Sequence, residues 1–228
     1  MKLPEYPRPA GLHPPLATPA YRSSRLRAPT QPLVVLPQRL TEVTGPLFGE
    51  ERVQDGDADL TTTPTGAAQG QRIIVHGRVL DGDGRPVPHT LVEIWQTNAA
   101  GRYRHAADNW PAPLDPHFTG AGRALTDADG RYRFLTIRPG IYPWGNHENA
   151  WRPAHIHFSL FGTAFTQRLV TQMYFPGDPL FAYDPIFNSV RDPAARQRLI
   201  CEFDLGETRP EWALAYRFDI VLGATPAE

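Results

Sequence analysis

The chain has 228 residues, a formal net charge of -1 and 41% hydrophobic residues. That is enough for one domain with a sizeable core plus an extension, and the near-neutral balance argues against nucleic acid or an anionic membrane surface as a partner. The single cysteine, Cys201, excludes an internal disulfide and fits a reducing compartment. No stretch approaches membrane-spanning length and the first residues lack an apolar signal core, so a cytoplasmic location is expected.

Proline is the outlier, at 25 residues, about twice ordinary usage. Many prolines precede residue 65, and Pro4, Pro7, Pro9, Pro14, Pro15 and Pro19 recur too often for a helix interior. Tyr6, Leu12, Tyr21 and the run Leu33 to Leu36 are too apolar for a solvated tail. Residues 1–65 are therefore expected to form an extended Pro-rich arm and linker, laid over the domain or over a neighbouring subunit. Thr41 to Pro46 reads as a turn into the body. Asp55 to Asp59 reads as a polar loop; a calcium loop is the alternative, but its spacing and the missing terminal Glu disfavour it.

Residues 66–228 read as short strands with turn punctuation. Arg72 to Leu80 is a strand, followed by a tight turn at Asp81 to Gly84. Leu91 to Thr97 alternates, with Leu91, Glu93 and Trp95 on one face and Val92, Ile94 and Gln96 on the other. Arg123 to Thr126 and Arg131 to Ile137 flank a turn at Asp127 to Gly130. Ala154 to Phe161, Arg168 to Phe175, Arg198 to Leu205 and Trp212 to Leu222 complete the strands, with Cys201 a small buried residue in one of them. Asp192-Pro193 offers an N-cap and a first-turn proline for one short helix over residues 193–199. The pattern predicts an all-β domain, an antiparallel β-sandwich with loops carrying the site.

Chemistry concentrates in Arg152-Pro153-Ala154-His155-Ile156-His157-Phe158. On a strand, His155 and His157 point the same way, a two-nitrogen chelate that suits zinc, copper, nickel and iron alike. Tyr103, in Gly-Arg-Tyr, and Tyr142, in Ile-Tyr-Pro-Trp, add two phenols. A phenol titrates near ~10 in water, but a bound cation strips its proton, and two phenolates favour a trivalent ion. The joint reading is a ferric site of two Tyr and two His. Taken singly, a His-x-His pair is a surface or core feature, and a Tyr before Pro is a turn or packing residue.

These blocks resemble the intradiol ring-cleaving dioxygenases over nearly the whole length. They include His13-Pro14-Pro15, Pro19 to Ser24, Glu42 to Pro46, Leu91 to Gln96, Asn98 to Tyr103, Tyr142-Pro143-Trp144, Arg152 to Phe158 and Thr171 to Tyr174. The resemblance implies a prealbumin-like sandwich in which Tyr103, Tyr142, His155 and His157 bind non-haem Fe(3+). It implies that Arg152 and Gln172 line the reacting centre and that Trp144 and Ile186 pack on an aromatic substrate. Tyr21 and Trp95 match residues near a ring carboxylate. The implied reaction is cleavage of protocatechuate by O2 to 3-carboxy-cis,cis-muconate, in aromatic catabolism, with Tyr142 doubling as a base. The implied assembly is a hetero-oligomer with an alpha chain that lacks the iron ligands. Two positions depart from the pattern: Gly145 stands where some relatives have a basic residue, and His117 replaces an Asn. The rival readings are a catechol or hydroxyquinol 1,2-dioxygenase, disfavoured by the Pro-rich arm, and a non-catalytic prealbumin-like binding module, which needs no clustered His and Tyr.

Overall fold

The computed structural model describes residues 11–31, 53–161 and 168–228. The expected turn at Thr41 to Pro46 and the apolar residues Tyr6 and Leu33 to Leu36 lie outside the described residues. After a small hairpin of β1 (Thr62–Thr63) and β2 (Gly66–Ala67), the chain builds two facing sheets. The first is antiparallel and contains β4 (Leu91–Trp95), β5 (Ala121–Leu125), β9 (His155–Phe161) and β10 (Arg168–Tyr174). β4 and β9 are its central strands. The second is built on β3 (Arg72–Leu80), with β6 (Arg131–Ile137) along one side and β12 (Leu214–Arg217) and β13 (Ile220–Val221) along the other. β11 (Glu202–Phe203) pairs with β12, and a separate pair joins β7 (Tyr142–Pro143) to β8 (Trp151–Arg152).

The alternation within strands decides which side chains meet between the sheets. Val92 and Ile94 of β4 and Ile156, Phe158 and Leu160 of β9 point inward. There they meet Ile73, Val75, Val79 and Phe134 of the second sheet in one buried cluster. Each such side chain contributes roughly 1.5–3 kcal/mol by leaving water. The complementary positions, Trp95, His155, His157, Gln172 and Tyr174, face the other way. The register sets His157 opposite both Trp95 and Gln172, and His155 opposite Tyr174. The outer face of the first sheet is thus a platform of chemically active side chains.

The sandwich follows the expectation, with three corrections. β12 and β13 run parallel to β3, so the second sheet is mixed rather than wholly antiparallel. The chain between β3 and β12 includes the whole first sheet, a crossover long enough to return in the same direction. The single strand expected over Trp212 to Leu222 is split at Phe218-Asp219. Phe218 N–H donates to His76 O, and Asp219 accepts from Arg78 N–H. Gly77 permits this approach, because a Cβ there would stand 2.0 Å from Phe218 O. The strand expected over Arg198 to Leu205 shrinks to β11, because a helical turn holds the preceding residues; Cys201 is nevertheless buried.

Helical turns outnumber the single one expected. α1 (Ser24–Arg27), a 3-10 turn (Pro179–Tyr183) and α2 (Pro185–Ser189) accompany the anticipated α3 (Pro193–Gln197). The last three start on the same device: Asp178, Asp184 and Asp192 each precede a proline and accept from the backbone N–H two residues on. Leu12 of the N-terminal segment packs into a second cluster with Tyr174, Phe187, Val190, Ala195 and Leu199. Among the described residues no helix is long and apolar enough to cross a membrane.

Candidate active site

The platform holds two imidazoles whose orientations are set by their Nδ1 atoms. His155 Nδ1–H donates to Pro153 O at 2.7 Å, and His157 Nδ1–H donates to Glu228 Oε2 at 3.0 Å. Both Nε2 lone pairs are thereby directed the same way, and Tyr103 Oη lies 3.3 Å from one and 3.1 Å from the other. The ring of His157 is stacked on Trp95, centroids 4.7 Å apart and planes 3° from parallel. Burial, reinforced by the charges of Arg152 and His157, holds His155 well below the ordinary imidazole range, so it is neutral and able to donate its lone pair.

The phenols arrive from two loops that touch through glycine. Gly101 has φ +78°, and a Cβ there would fall 2.1 Å from Ile141 O; one on Gly140 would fall 2.5 Å from Gly101 N. No side chain fits between these backbones, so Tyr103 and Tyr142 are drawn together edge to face, centroids 4.9 Å apart. Asp108 accepts the Tyr103 N–H at 2.8 Å and fixes that loop. Tyr142 is held by pairing with Arg152 across β7 and β8. Burial raises both phenols above their ordinary value, so in the protein alone they stay protonated; a cation facing the oxygens reverses that preference. Among the described residues no three His, Cys, Asp or Glu side chains converge on a possible metal position. Beyond the two imidazoles, phenol oxygens face this pocket as donors.

Arg152 is buried beside this cluster and stays charged. Burial opposes its charge, but Tyr174 and Asp184 outweigh that. Its Nη2 donates to Asp184 Oδ2 at 2.9 Å, Gln172 Oε1 at 2.6 Å and Tyr174 Oη at 2.9 Å, while Nη1 donates to His155 Nε2 at 3.1 Å. Arg152 and Gln172, predicted to line the centre, are thus in contact. Tyr174 belongs to the same network, and so does Asp184. Asp184 also caps α2 through Ile186 N–H at 3.1 Å; the same carboxylate therefore positions Arg152 and the helix that carries Ile186.

Above the platform lies a cavity of about 820 Å³ bordered by Tyr103, Tyr142, His157, Trp144, Ile186 and Tyr21, within the usual range for a small-molecule site. Trp144 meets Tyr21 at 4.8 Å between centroids, and the Arg152 guanidinium stands 5.4 Å from the Trp144 ring. Residues 11–31 form one wall. Arg22 N–H donates to Asn146 O at 3.0 Å, and Arg27 sits 4.7 Å over the Tyr21 ring. All ten site residues inferred from sequence border the cavity except His155, which lies beneath it against Tyr103.

Of the two departures noted in the sequence, Gly145 has open space where a side chain would be, and its carbonyl accepts from Arg22 Nη1 at 3.4 Å. His117 does not border the cavity; its Nδ1 lies 3.3 Å from the hydroxyls of Thr63 and Thr65 at the first hairpin. Sequence reading missed Glu228, Asp184 and Arg27. The repeated Asp-Pro signal could have found Asp184; nothing local to Glu228 marks it.

The chain is similar to known proteins. Residues 43–224 match the family model described as Dioxygenase, and residues 6–39 match that of the protocatechuate 3,4-dioxygenase beta subunit N terminal. The protocatechuate 3,4-dioxygenase beta chain of Burkholderia cepacia is 59% identical over 97% of this chain and 96% of its own. The protocatechuate 3,4-dioxygenase alpha chain of Pseudomonas putida is 34% identical over 67% of this chain and 72% of its own. Among solved structures, 3-chlorocatechol 1,2-dioxygenase from Rhodococcus opacus 1CP has the same fold, with a TM-score of 0.57 at 24% identity, covering 82% of this chain and 72% of that one.

Proposed function

Because this chain belongs to the intradiol ring-cleaving dioxygenases, together with the beta chains of protocatechuate 3,4-dioxygenase, we propose that it cleaves protocatechuate with O2 between the two hydroxyl-bearing carbons, giving 3-carboxy-cis,cis-muconate. The observation that carries the reading is the convergence of Tyr103 Oη on the Nε2 atoms of His155 and His157, with Tyr142 against Tyr103. Two hard anionic oxygens and two neutral imidazoles form a donor set suited to ferric iron, and we assign Tyr103, Tyr142, His155 and His157 as its ligands. When bound, Fe(3+) supplies a Lewis acid that draws electron density from a catechol and opens its ring carbons to O2.

The rest falls to the protein's own side chains. The aromatic ring lies between Trp144 and Ile186, with Tyr21 and Trp95 toward the ring carboxylate. Arg27, in the same wall of the cavity, supplies the positive charge that the carboxylate needs. Tyr142 is only partly buried, and as the phenolate that a bound cation would make of it, its Oη would take one of the two catechol protons. Arg152, held rigid by Asp184, Gln172 and Tyr174, offers N–H donors to negative charge that develops as the ring opens. Were a cation to take the His155 lone pair, Arg152 Nη1 would be freed from its bond to Nε2 for that purpose.

We read the division at residues 65 and 66 as arm and catalytic sandwich, and the assembly as a hetero-oligomer with an alpha chain of the kind found in Pseudomonas putida. The match of residues 6–39 to the beta-subunit N terminal favours protocatechuate over catechol as substrate. Oxygen uptake with each, together with the visible spectrum before and after anaerobic addition of protocatechuate, tests this. A phenolate-to-iron band that shifts on addition is expected, with turnover greatest on protocatechuate. Colourless, iron-free protein, or a preference for catechol, would overturn the reading.

A further inference from the structure

We propose that Glu228 is a positioning residue for His157: its carboxylate fixes the tautomer and direction of that imidazole and joins it to Arg152 through Gln172. The proposal rests on the reading of the four-residue ligand set above. Glu228 is 71 residues from His157 in sequence and is brought there by a strap tied along β10. Thr171 Oγ1 donates to Pro226 O at 2.7 Å, Glu228 N–H donates to Val170 O at 3.0 Å, and Ala227 N–H donates to His13 Nδ1 at 3.1 Å. The strap thus also ties the N-terminal segment to the sheet that carries both histidines.

Two constraints orient the His157 ring. Stacking on Trp95 fixes its plane but is unchanged by a half-turn flip about Cβ–Cγ, which would exchange the ring nitrogens with carbons. The contact from Nδ1 to Glu228 Oε2 at 3.0 Å removes that freedom and aims the Nε2 lone pair at the site. The two histidines also differ. His155 gives its Nδ1 proton to a neutral backbone carbonyl, whereas His157 gives its proton to a carboxylate, which makes it the more electron-rich donor. The same Oε2 accepts from Gln172 Nε2, and Gln172 Oε1 accepts from Arg152 Nη2 at 2.6 Å. Glu228, Gln172 and Arg152 therefore form one chain of hydrogen bonds. Replacing Glu228 by an amide removes the negative charge from the oxygen that the imidazole N–H and the Gln172 amide share and sets a third donor beside them.

The test uses the full chain loaded with ferric iron, with Glu228→Gln, Glu228→Ala and the surface control Glu202→Gln. Iron retention against a chelator, the position of the visible band and Tm are measured together. On the stripped chain, 15N NMR reads the tautomer of His157. The expected result is a loss of iron affinity on the order of 10–100-fold in both Glu228 variants, with a shifted band and mixed tautomers, while the control behaves as the unaltered chain. Iron retention and band position unchanged in Glu228→Gln would overturn the role of Glu228 and leave the ligand set standing. An unaltered chain that takes up no ferric iron would overturn both. Should Glu228→Ala fail to fold, the isosteric Glu228→Gln carries the comparison. A His157 Nε2–H tautomer in the unaltered stripped chain overturns the proposal whatever the variants do.

Discussion

Asp184 Oδ2 accepts from Arg152 Nη2 at 2.9 Å, with the two side chains 0% and 4% exposed. Breaking such a pair by removing one charge leaves the other uncompensated, at a cost of about 3–5 kcal/mol. Asp184→Asn is therefore expected to lower stability by about that amount, measured by chemical denaturation. It also slackens the guanidinium, so kcat falls even under conditions where the variant is fully folded. A variant as stable and active as the original would show that the pair holds nothing in place.

Tyr142→Phe removes the proposed proton acceptor and keeps the ring. General-base catalysis contributes roughly 10²–10⁴-fold, and a loss in that range is expected in the rate of anaerobic catecholate formation followed by stopped-flow absorbance. Iron content per chain is expected to remain near that of the unaltered protein. Unchanged binding rates would assign the proton to another group.

Gly101→Ala tests the contact that unites the two phenols. The residue has φ +78°, and its Cβ would overlap Ile141 O at 2.1 Å; left-handed backbone alone costs a non-glycine residue about 1–3 kcal/mol. The loops carrying Tyr103 and Tyr142 must separate. The expected outcome is loss of the phenolate-to-iron band out of proportion to the change in Tm.

Arg27→Ala should act on one substrate and not on another. Without the guanidinium over Tyr21, a charge-assisted hydrogen bond worth about 1.5–3 kcal/mol is missing for a ring carboxylate. KM for protocatechuate is expected to rise by roughly 10–100-fold, with catechol turnover unaffected. An equal loss on both would mean that Arg27 supports the wall rather than the substrate.

Cys201 is buried and its thiol is pushed up to about 12, chiefly by burial. The native protein is expected to give no reaction with a thiol reagent at pH 8 and one thiol per chain after denaturation. Prompt reaction in the native state would place Cys201 at the surface.

How much was legible in the sequence follows from how local each signal is. Alternation in Leu91 to Trp95 and His155 to Phe161 marks strands and their inward faces, because a period of two is a property of consecutive residues. His-x-His is legible for the same reason: one strand places both imidazoles on one side. The helical turns at Asp178-Pro179 and Asp184-Pro185 rest on an equally local signal, a capping Asp before a first-turn Pro, whereas the parallel pairing of β12 and β13 with β3 depends on where a long crossover returns.

The sequence alone settled which residue types stand where: strand faces, turn glycines, two phenols, two imidazoles and a nearby arginine. It could not settle distances, because those depend on contacts between segments far apart in the chain. Only the tertiary structure brought Gly101 against Ile141, Asp184 beneath Arg152, and the strap ending in Glu228 alongside β10. The physical reason is that a side chain's chemistry is written at its own position, whereas its orientation and charge state are set by neighbours that the fold supplies.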